Sequence, residues 1–393
     1  MQTNRDVIVI GGAVTGASVA WWLTRLAPGL RVSVIERDPT YARAATALSV
    51  ASIRSQFSNP VNVQISRFGV QFLRDFESEL GLAPGQGDLG LKENGYLFLG
   101  GSPEAPGVMA EIAAMQRDLG AATQVLTPAE VAQAWPWMQT ADLTAGSFGP
   151  RDEGWFDNMG LLGGFRTAAR QAGVEFVQDV AVGLVMEGDR ACGVRLASGA
   201  VLGCGAVVNC AGTRSAEVLA WAGIALPVEP RKRTVFVIDA PNARHPEAPL
   251  IIDHQGYYMR PEQGGWITAT VPQDDGPCDA DDFEPDAHLF EEAIWPMLYQ
   301  RSEGFDAVKV QRLWVGHYDY NTLDQNAILG RVPGRQGLFL ACGFSGHGLQ
   351  QSPAVGRGMA ELIVHGGYRS LDLSELGMER VVEGRPFLER AIV

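Results

Sequence analysis

Asp6-Val7-Ile8-Val9-Ile10-Gly11-Gly12-Ala13-Val14-Thr15-Gly16, followed by Val32-Ser33-Val34-Ile35-Glu36, is the stretch that decides the fold. It reads as a β-branched apolar strand, a glycine turn, a helical pattern from Ala17 to Leu26, and a second strand tipped by an acid. That order is the dinucleotide-binding βαβ unit. Gly11 lets the chain turn sharply off the strand, and Gly16 lets the helix pack close to the sheet. The helix start at Val14 and Thr15 presents free N–H groups and a partial positive charge to a pyrophosphate. Glu36 stands where a carboxylate accepts from ribose hydroxyls, which disfavours a 2′-phosphate. One position departs from the G-x-G-x-x-G pattern: its middle glycine is Ala13, whose methyl crowds the phosphate approach, while Gly12 keeps the turn flexible. A glycine turn without a ligand is the alternative, and the flanking strands and acid weigh against it.

Composition bounds the rest. The 393 residues are 46% hydrophobic, enough for two substantial cores. A net charge of -14 argues against a nucleic-acid partner. No apolar run is long enough to span a bilayer, so no transmembrane segment is expected. The first strand starts almost at the first residue, leaving no room for a targeting segment, and the five scattered cysteines read as reduced thiols; a cytoplasmic location is the expectation. Neither Cys192, Cys204, Cys210, Cys278 and Cys342 nor the six histidines show metal-ligand spacing, and no metal site is expected. The lysines are Lys92, Lys232 and Lys309.

Beyond the opening unit the chain is not a simple alternation of strands and helices. Helices are predicted over 68–82, 106–119, from Pro128 to Trp135, and over 289–299. Strands are predicted at 95–99, 174–177, 193–196, 206–212, 234–239, 256–260 and 265–271. The chain thus leaves the nucleotide domain twice and returns twice. The expected fold class is α/β with an α+β insert: a Rossmann-like FAD-binding domain from 1–88, 145–225 and 316–393, and a mainly antiparallel-sheet substrate domain from 89–144 and 226–315.

Near the end, Gly337 to Cys342 reads as a strand, Gly343-Phe344-Ser345-Gly346-His347-Gly348 as a glycine-rich loop, and Leu349 to Val364 as a helix. This second helix start is aimed at a negative group. A flavin fits, because its reduced form is anionic and a helix N-terminus stabilises that charge. His347 is equally readable as a loop histidine bonded to backbone.

Four segments carry a resemblance: Asp152-Glu153-Gly154-Trp155-Phe156-Asp157; Leu226-Pro227-Val228-Glu229-Pro230-Arg231-Lys232-Arg233; Tyr318-Asp319-Tyr320-Asn321-Thr322 with Asp324-Gln325-Asn326; and Gly343 to Gln351. In combination the chain resembles the D-amino-acid oxidase and sarcosine oxidase superfamily of FAD amine oxidoreductases, and within it a branch whose mitochondrial member is linked to respiratory complex I assembly. The resemblance implies FAD in the first site, roofed by the substrate-domain sheet. It implies FAD contacts at Gly11, Gly12, Ala13, Val14, Thr15, Gly16, Glu36 and Arg37. It adds Thr46, Ser49, Ala51, Ser52, Val180, Ala211 and Gly212. It adds Gly316, Gly343, Ser345, Gly346, His347, Gly348, Leu349 and Gln350. Ser52-Ile53-Arg54 matches the I-I-R pattern whose arginine grips the substrate carboxylate, a role suited to a forked guanidinium. A surface salt bridge is the alternative for Arg54. Tyr258 and Tyr318 match tyrosines of the amine pocket, the alternative being core tyrosines with satisfied hydroxyls. Arg260 faces the same way as Tyr258 if that strand is regular, and is a second anion-binding candidate.

The departures inform too. Monomeric sarcosine oxidases tether FAD through a cysteine at the segment matching Gly316, where this chain has none; dimethylglycine dehydrogenases use an N-terminal histidine, and no histidine precedes His245. FAD is therefore expected to be noncovalent. The second carboxylate-binding lysine of sarcosine oxidase falls on Gln350, and the oxygen-activating lysine falls near Ile267. Without that cation a dehydrogenase passing electrons to a carrier or quinone is favoured over one using O2. The expected reaction is hydride transfer from a neutral amino acid or N-alkyl amino acid (sarcosine, dimethylglycine or glycine-like) to flavin N5, the imine then being hydrolysed. Two alternatives stay open. One is 2-hydroxy-acid oxidation with His347 or His317 as base. The other is a flavoprotein assembly or binding factor for respiratory complexes with structural FAD.

Overall fold

The first strand, Thr3–Ile10, is sandwiched between two hydrophobic cores, and its sequence shows why. Side chains alternate along a strand, so Val7 and Val9 enter one core while Ile8 and Ile10 enter the other. A strand apolar on both faces belongs in the middle of a covered sheet. In the computed structural model, which describes residues 3–390, it pairs in parallel with Val32–Glu36 on one side and Val201–Asn209 on the other. Glu175–Gln178 and Leu338–Cys342 extend the parallel order outwards. Ile328–Arg331 closes one edge antiparallel, and the hairpin of Ala181–Glu187 and Arg190–Leu196 branches from Val201–Asn209. Helices Val14–Leu26, Asn158–Gln171 and Gly348–His365 cover the Val7–Val9 face.

A second eight-stranded sheet holds Tyr96–Gly100, Gln124–Leu126 and Ala145–Gly149 from one excursion of the chain. Val228–Asp239, Leu250–Ile252, Tyr257–Glu262, Gly265–Thr270 and Lys309–Asn321 come from the other. Its pairings are antiparallel except that of Leu250–Ile252 with Tyr96–Gly100. Alternation again sorts its faces: Phe236 and Ile238 enter a core under Phe290, Ile294 and Leu298, while Val235 and Val237 join Ile267 and Ala269 on the opposite face.

Sheet membership corrects two expected boundaries. Residues 145–149 pair within the second sheet, so a boundary at 145 separates a strand from its partners. A boundary at 316 falls inside Lys309–Asn321, which pairs with Val228–Asp239 along nearly its whole length. Residues 1–2 and 391–393, included in the expected cofactor domain, lie outside the described residues. The helix predicted over 68–82 begins instead at Pro60, where a fixed φ suits the first helical position, and stops at Arg74 before a short turn, Phe76–Leu80. The helix predicted over 289–299 opens with a wide turn, Phe290–Ile294; Pro296 lacks the N–H that a regular turn would bond at that point. Among the described residues no helix is long and apolar enough to cross a membrane.

Candidate functional site

A cavity of about 740 Å³ runs from the ends of the parallel strands to the second sheet, and one wall carries both glycine turns. At the first turn Gly11 has φ +94, and a Cβ there would sit 2.3 Å from the Cys210 carbonyl oxygen. A Cβ on Gly16 would sit 1.9 Å from the Gly11 carbonyl oxygen, so only glycine lets the helix start this close to the strand. Ala13 caps that helix and lines the cavity with Val14 and Thr15, so the methyl is tolerated. One Glu36 carboxylate oxygen accepts from the Gly12 N–H at 2.8 Å, the other from the Asp38 N–H at 2.8 Å. Burial pushes the Glu36 carboxyl above its usual range against these bonds. Arg37, Val180, Ala211 and Gly212 border the same end.

The 46–52 segment forms one side of the cavity. Thr46 Oγ1 accepts from the Val14 N–H at 3.2 Å, and the Asn158 amide donates to the Thr46 carbonyl at 2.6 Å. Thr46, Ser49 and Ser52 line the cavity. Ala51, with φ +60, donates its N–H to Ser49 Oγ and faces a smaller neighbouring pocket.

At the far end Arg54 lies buried among Phe57, Phe98 and Tyr96, whose ring centroids are 4.6, 5.0 and 5.7 Å from its guanidinium carbon. Its Nη2 is 3.0 Å from His347 Nε2. A guanidinium only donates, so His347 Nε2 accepts and the imidazole is neutral. Burial first, then the Arg54 charge, holds the His347 pKa down to about 3. The Arg54 N–H donates to Gln350 Oε1 at 2.8 Å, while Gln350 Nε2 is buried with no hydrogen-bond partner among the described residues. Tyr258 and Tyr318 complete this end with Gly316, Ser345, Gly346, Gly348 and Leu349. Gly346, at φ +99, lies against Tyr318: a Cβ there would be 2.8 Å from the ring. Burial pushes the Tyr258 hydroxyl well up.

Five of the expected residues are not in the cavity wall. Gly12, Gly16 and Gly343 shape the turns behind it, the Gly343 N–H donating to buried Asp319 Oδ2 at 2.7 Å. Ala51 and Arg260 line the smaller pocket. Arg260 shares the strand face of Tyr258, as expected, but its guanidinium is held by Glu262 at 2.5 Å and by the Val50 carbonyl at 3.1 Å, across the 47–51 segment from Tyr258.

Two contributors escaped the sequence reading. Arg233 lines the cavity 5.0 Å from the Tyr318 ring, its charge matched by a two-pronged pair to Asp275 at 2.5 and 2.8 Å. Strand alternation with the inward Val235 was the signal that could have placed it. Glu153 sits beneath Arg54, its carboxylate accepting from the Ser55 N–H at 3.0 Å and from Gln56 Nε2 at 2.9 Å. His317 lines the cavity with its Nε2 2.6 Å from the Asp282 carbonyl and its ring stacked on Phe283. Among the described residues no cluster suits a metal ion. The wall holds one cysteine, Cys210, beside the first glycine turn, and burial pushes its thiol up.

Residues 6–362 match the DAO family, described as FAD dependent oxidoreductase. The chain is 40% identical over 423 residues to FAD-dependent oxidoreductase domain-containing protein 1 of Xenopus laevis, a match covering 99% of this chain and 85% of that protein. It is 25% identical over 387 residues to the mitochondrial sarcosine dehydrogenase of Mus musculus, covering 93% of this chain and 40% of that one. The solved structure of L-proline dehydrogenase from P. horikoshii superposes with a TM-score of 0.86 at 26% identity, covering 98% of this chain and 100% of the other.

Proposed function

The chain belongs to the DAO family of FAD-dependent oxidoreductases, and from that premise we propose that it oxidises the C–N bond of an amino acid or N-alkyl amino acid whose carboxylate is held at Arg54. The observation that carries this reading is the continuity of the cavity: one space joins the dinucleotide turn and Glu36 to Arg54, Gln350 and the two tyrosines. FAD is the cofactor, and the site suits it. The glycine turns leave no room for larger side chains, the cavity is long, and Gln350 Nε2 is a buried donor awaiting an acceptor. Gly11, Ala13, Val14, Thr15 and Glu36 would hold its nucleotide half, and Gly346, His347 and Gly348 its redox-active half, noncovalently. When bound it supplies a two-electron acceptor for the substrate hydride.

The chain's own residues do the rest. The Arg54 fork pairs with the carboxylate, and the three rings around it exclude water and fix its direction. Neutral His347 orients that guanidinium without adding charge. Gln350 Nε2, with no hydrogen-bond partner among the described residues, is placed to donate where the resemblance puts a lysine in sarcosine oxidases. Tyr258 and Tyr318 wall the amine side. The relatives named sarcosine dehydrogenase and L-proline dehydrogenase support an amine substrate. Among the described residues no lysine lines this cavity, which supports a dehydrogenase rather than an oxidase.

A 2-hydroxy acid would need a histidine base, and both candidates are engaged: His347 by Arg54 and His317 by the Asp282 carbonyl. The test is anaerobic bleaching of the flavin band near about 450 nm by amino acids, N-methyl amino acids and hydroxy acids, followed by admission of air. Bleaching by an amine class with slow recovery in air is expected. Bleaching by hydroxy acids alone, or by nothing, overturns the proposal, and the latter moves the weight to a structural flavin in an assembly factor.

A further inference from the structure

A second pocket, of about 390 Å³, backs onto the first. Leu48, Ser49 and Val50 line both, so a single chain segment separates them. The shared wall lies at the Tyr258–Gly316 end: Trp314 Nε1 donates to the Leu48 carbonyl at 2.9 Å, and Gly316 packs against the same residue.

The charge of this pocket runs against that of the chain as a whole. The chain carries a net charge of -14, yet Lys92, Arg260 and Arg312 face the pocket against one carboxylate, Glu262. Among the described residues neither Lys92 nor Arg312 has an ion-pair partner, and both are exposed. Trp155 and Trp314 supply two indole rings to the lining. Arg260 and Trp155 are each 5% exposed, and Arg260 Nε and Trp155 Nε1 have no hydrogen-bond partner among the described residues. Buried donors are seldom left unpaired in native proteins, and two in one basic, aromatic pocket call for a ligand that brings acceptor oxygens, negative charge and a flat ring.

We propose that this pocket binds a planar, anionic quinone-type electron acceptor. The proposal rests on the reading of the main cavity as the FAD site, and the step balances: two electrons would pass from the anionic reduced cofactor across the 48–50 segment to the acceptor, the cofactor would release its one proton, and the acceptor would take up two protons, that one and another from water, and leave as its hydroquinone. The arrangement separates the two half-reactions, so acceptor and amine need not displace one another.

The test uses the holoenzyme, reduced anaerobically by light so that no amine is required, and mixed with dichlorophenolindophenol, a planar anionic quinone imine. The reoxidation rate is expected to saturate with dye. Arg312→Glu and Lys92→Glu should each raise the half-saturating dye concentration about tenfold, the size expected for reversing one charge in a ligand site. Both positions are exposed, and an unchanged flavin spectrum checks that each variant folds; Arg312→Gln should give a smaller shift in the same direction. Rates with uncharged duroquinone should not respond to the charge reversals. A rate that stays linear in dye, a half-saturation point indifferent to both reversals, or one moved by Arg54→Ala instead overturns the proposal. Saturable reoxidation in an enzyme that no amine reduces would sink the amine reading while leaving this pocket standing.

Discussion

Arg54 shows how one residue's meaning depends on its neighbours. In an aromatic cage with a neutral imidazole on Nη2, the guanidinium is directed by its surroundings. A charge-assisted hydrogen bond contributes about 1.5–3 kcal/mol, so Arg54→Ala, which removes at least one, should lower kcat/KM for a carboxylate substrate by at least about 10- to 100-fold. Steady-state kinetics against the same amine lacking its carboxylate checks the assignment: an equal loss for both would show that the anchor is elsewhere. Glu153, beneath it, has its carboxyl pushed up to about 7 by burial, against the hydrogen bonds from Gln56 and Ser55. The folded protein therefore keeps a proton that the unfolded chain, titrating near its ordinary value of 4.5, has already released. Stability from this group is complete below that ordinary value and is lost as pH rises towards about 7. The melting temperature of the wild type should fall relative to that of Glu153→Gln as pH rises across this window, and a constant difference would refute the ionisation. Both residues stood in quoted motifs, yet only Arg54 had a role legible there; a carboxylate's burial is not written in its neighbours along the chain.

Elements carried the sequence reading furthest. The strand, turn and helix of residues 6–26 follow from β-branched run, glycines and apolar spacing, because those are local effects. Gly16→Ala tests the tightest contact: with its Cβ 1.9 Å from the Gly11 carbonyl oxygen, the helix must move off the turn. Such overpacking costs about 1–3 kcal/mol, and FAD affinity, measured by the recovery of flavin fluorescence on dilution, should weaken by about tenfold or more. Wild-type affinity in this variant would mean that the turn does not seat the cofactor. Strand periodicity correctly set Arg260 on the face of Tyr258 and still misled, because the 47–51 segment crosses that face and divides it into two pockets. The motif at 321–326 was equally legible and equally ambiguous: Asp324 and the Asn326 carbonyl accept from buried Arg380, Asn321 donates to both, and Asp324 and Asn326 hold the Phe387 backbone rather than line the cavity.

At the scale of the molecule, the paired strands Val228–Asp239 and Lys309–Asn321 bind the second sheet to the cofactor domain, with Val228 in a core of the first sheet and Val235 on the face towards the cavity. The segment after Thr270 bridges back, its Asp281 pairing with Arg214 at 2.6 Å and Phe283 lying 5.2 Å from the Arg43 guanidinium carbon. FAD joins these parts, so its removal should destabilise the whole. At a free concentration a thousandfold above its dissociation constant, a ligand stabilises by about 4 kcal/mol. The apoprotein should therefore melt lower and recover with added FAD, and equal melting temperatures would argue against a load-sharing cofactor. The sequence alone determined the nucleotide unit and the two-sheet architecture, which rest on local periodicity and turn chemistry, and the family resemblance, which rests on the motif segments at 152–157, 226–233, 318–326 and 343–351. Tertiary structure decided which strand lies beside which, where Arg260 and Glu153 point, how His347 is protonated, and that a second basic pocket shares a wall with the first. Those outcomes depend on contacts between residues tens to hundreds of positions apart, whose burial and dielectric surroundings exist only once the chain has closed on itself.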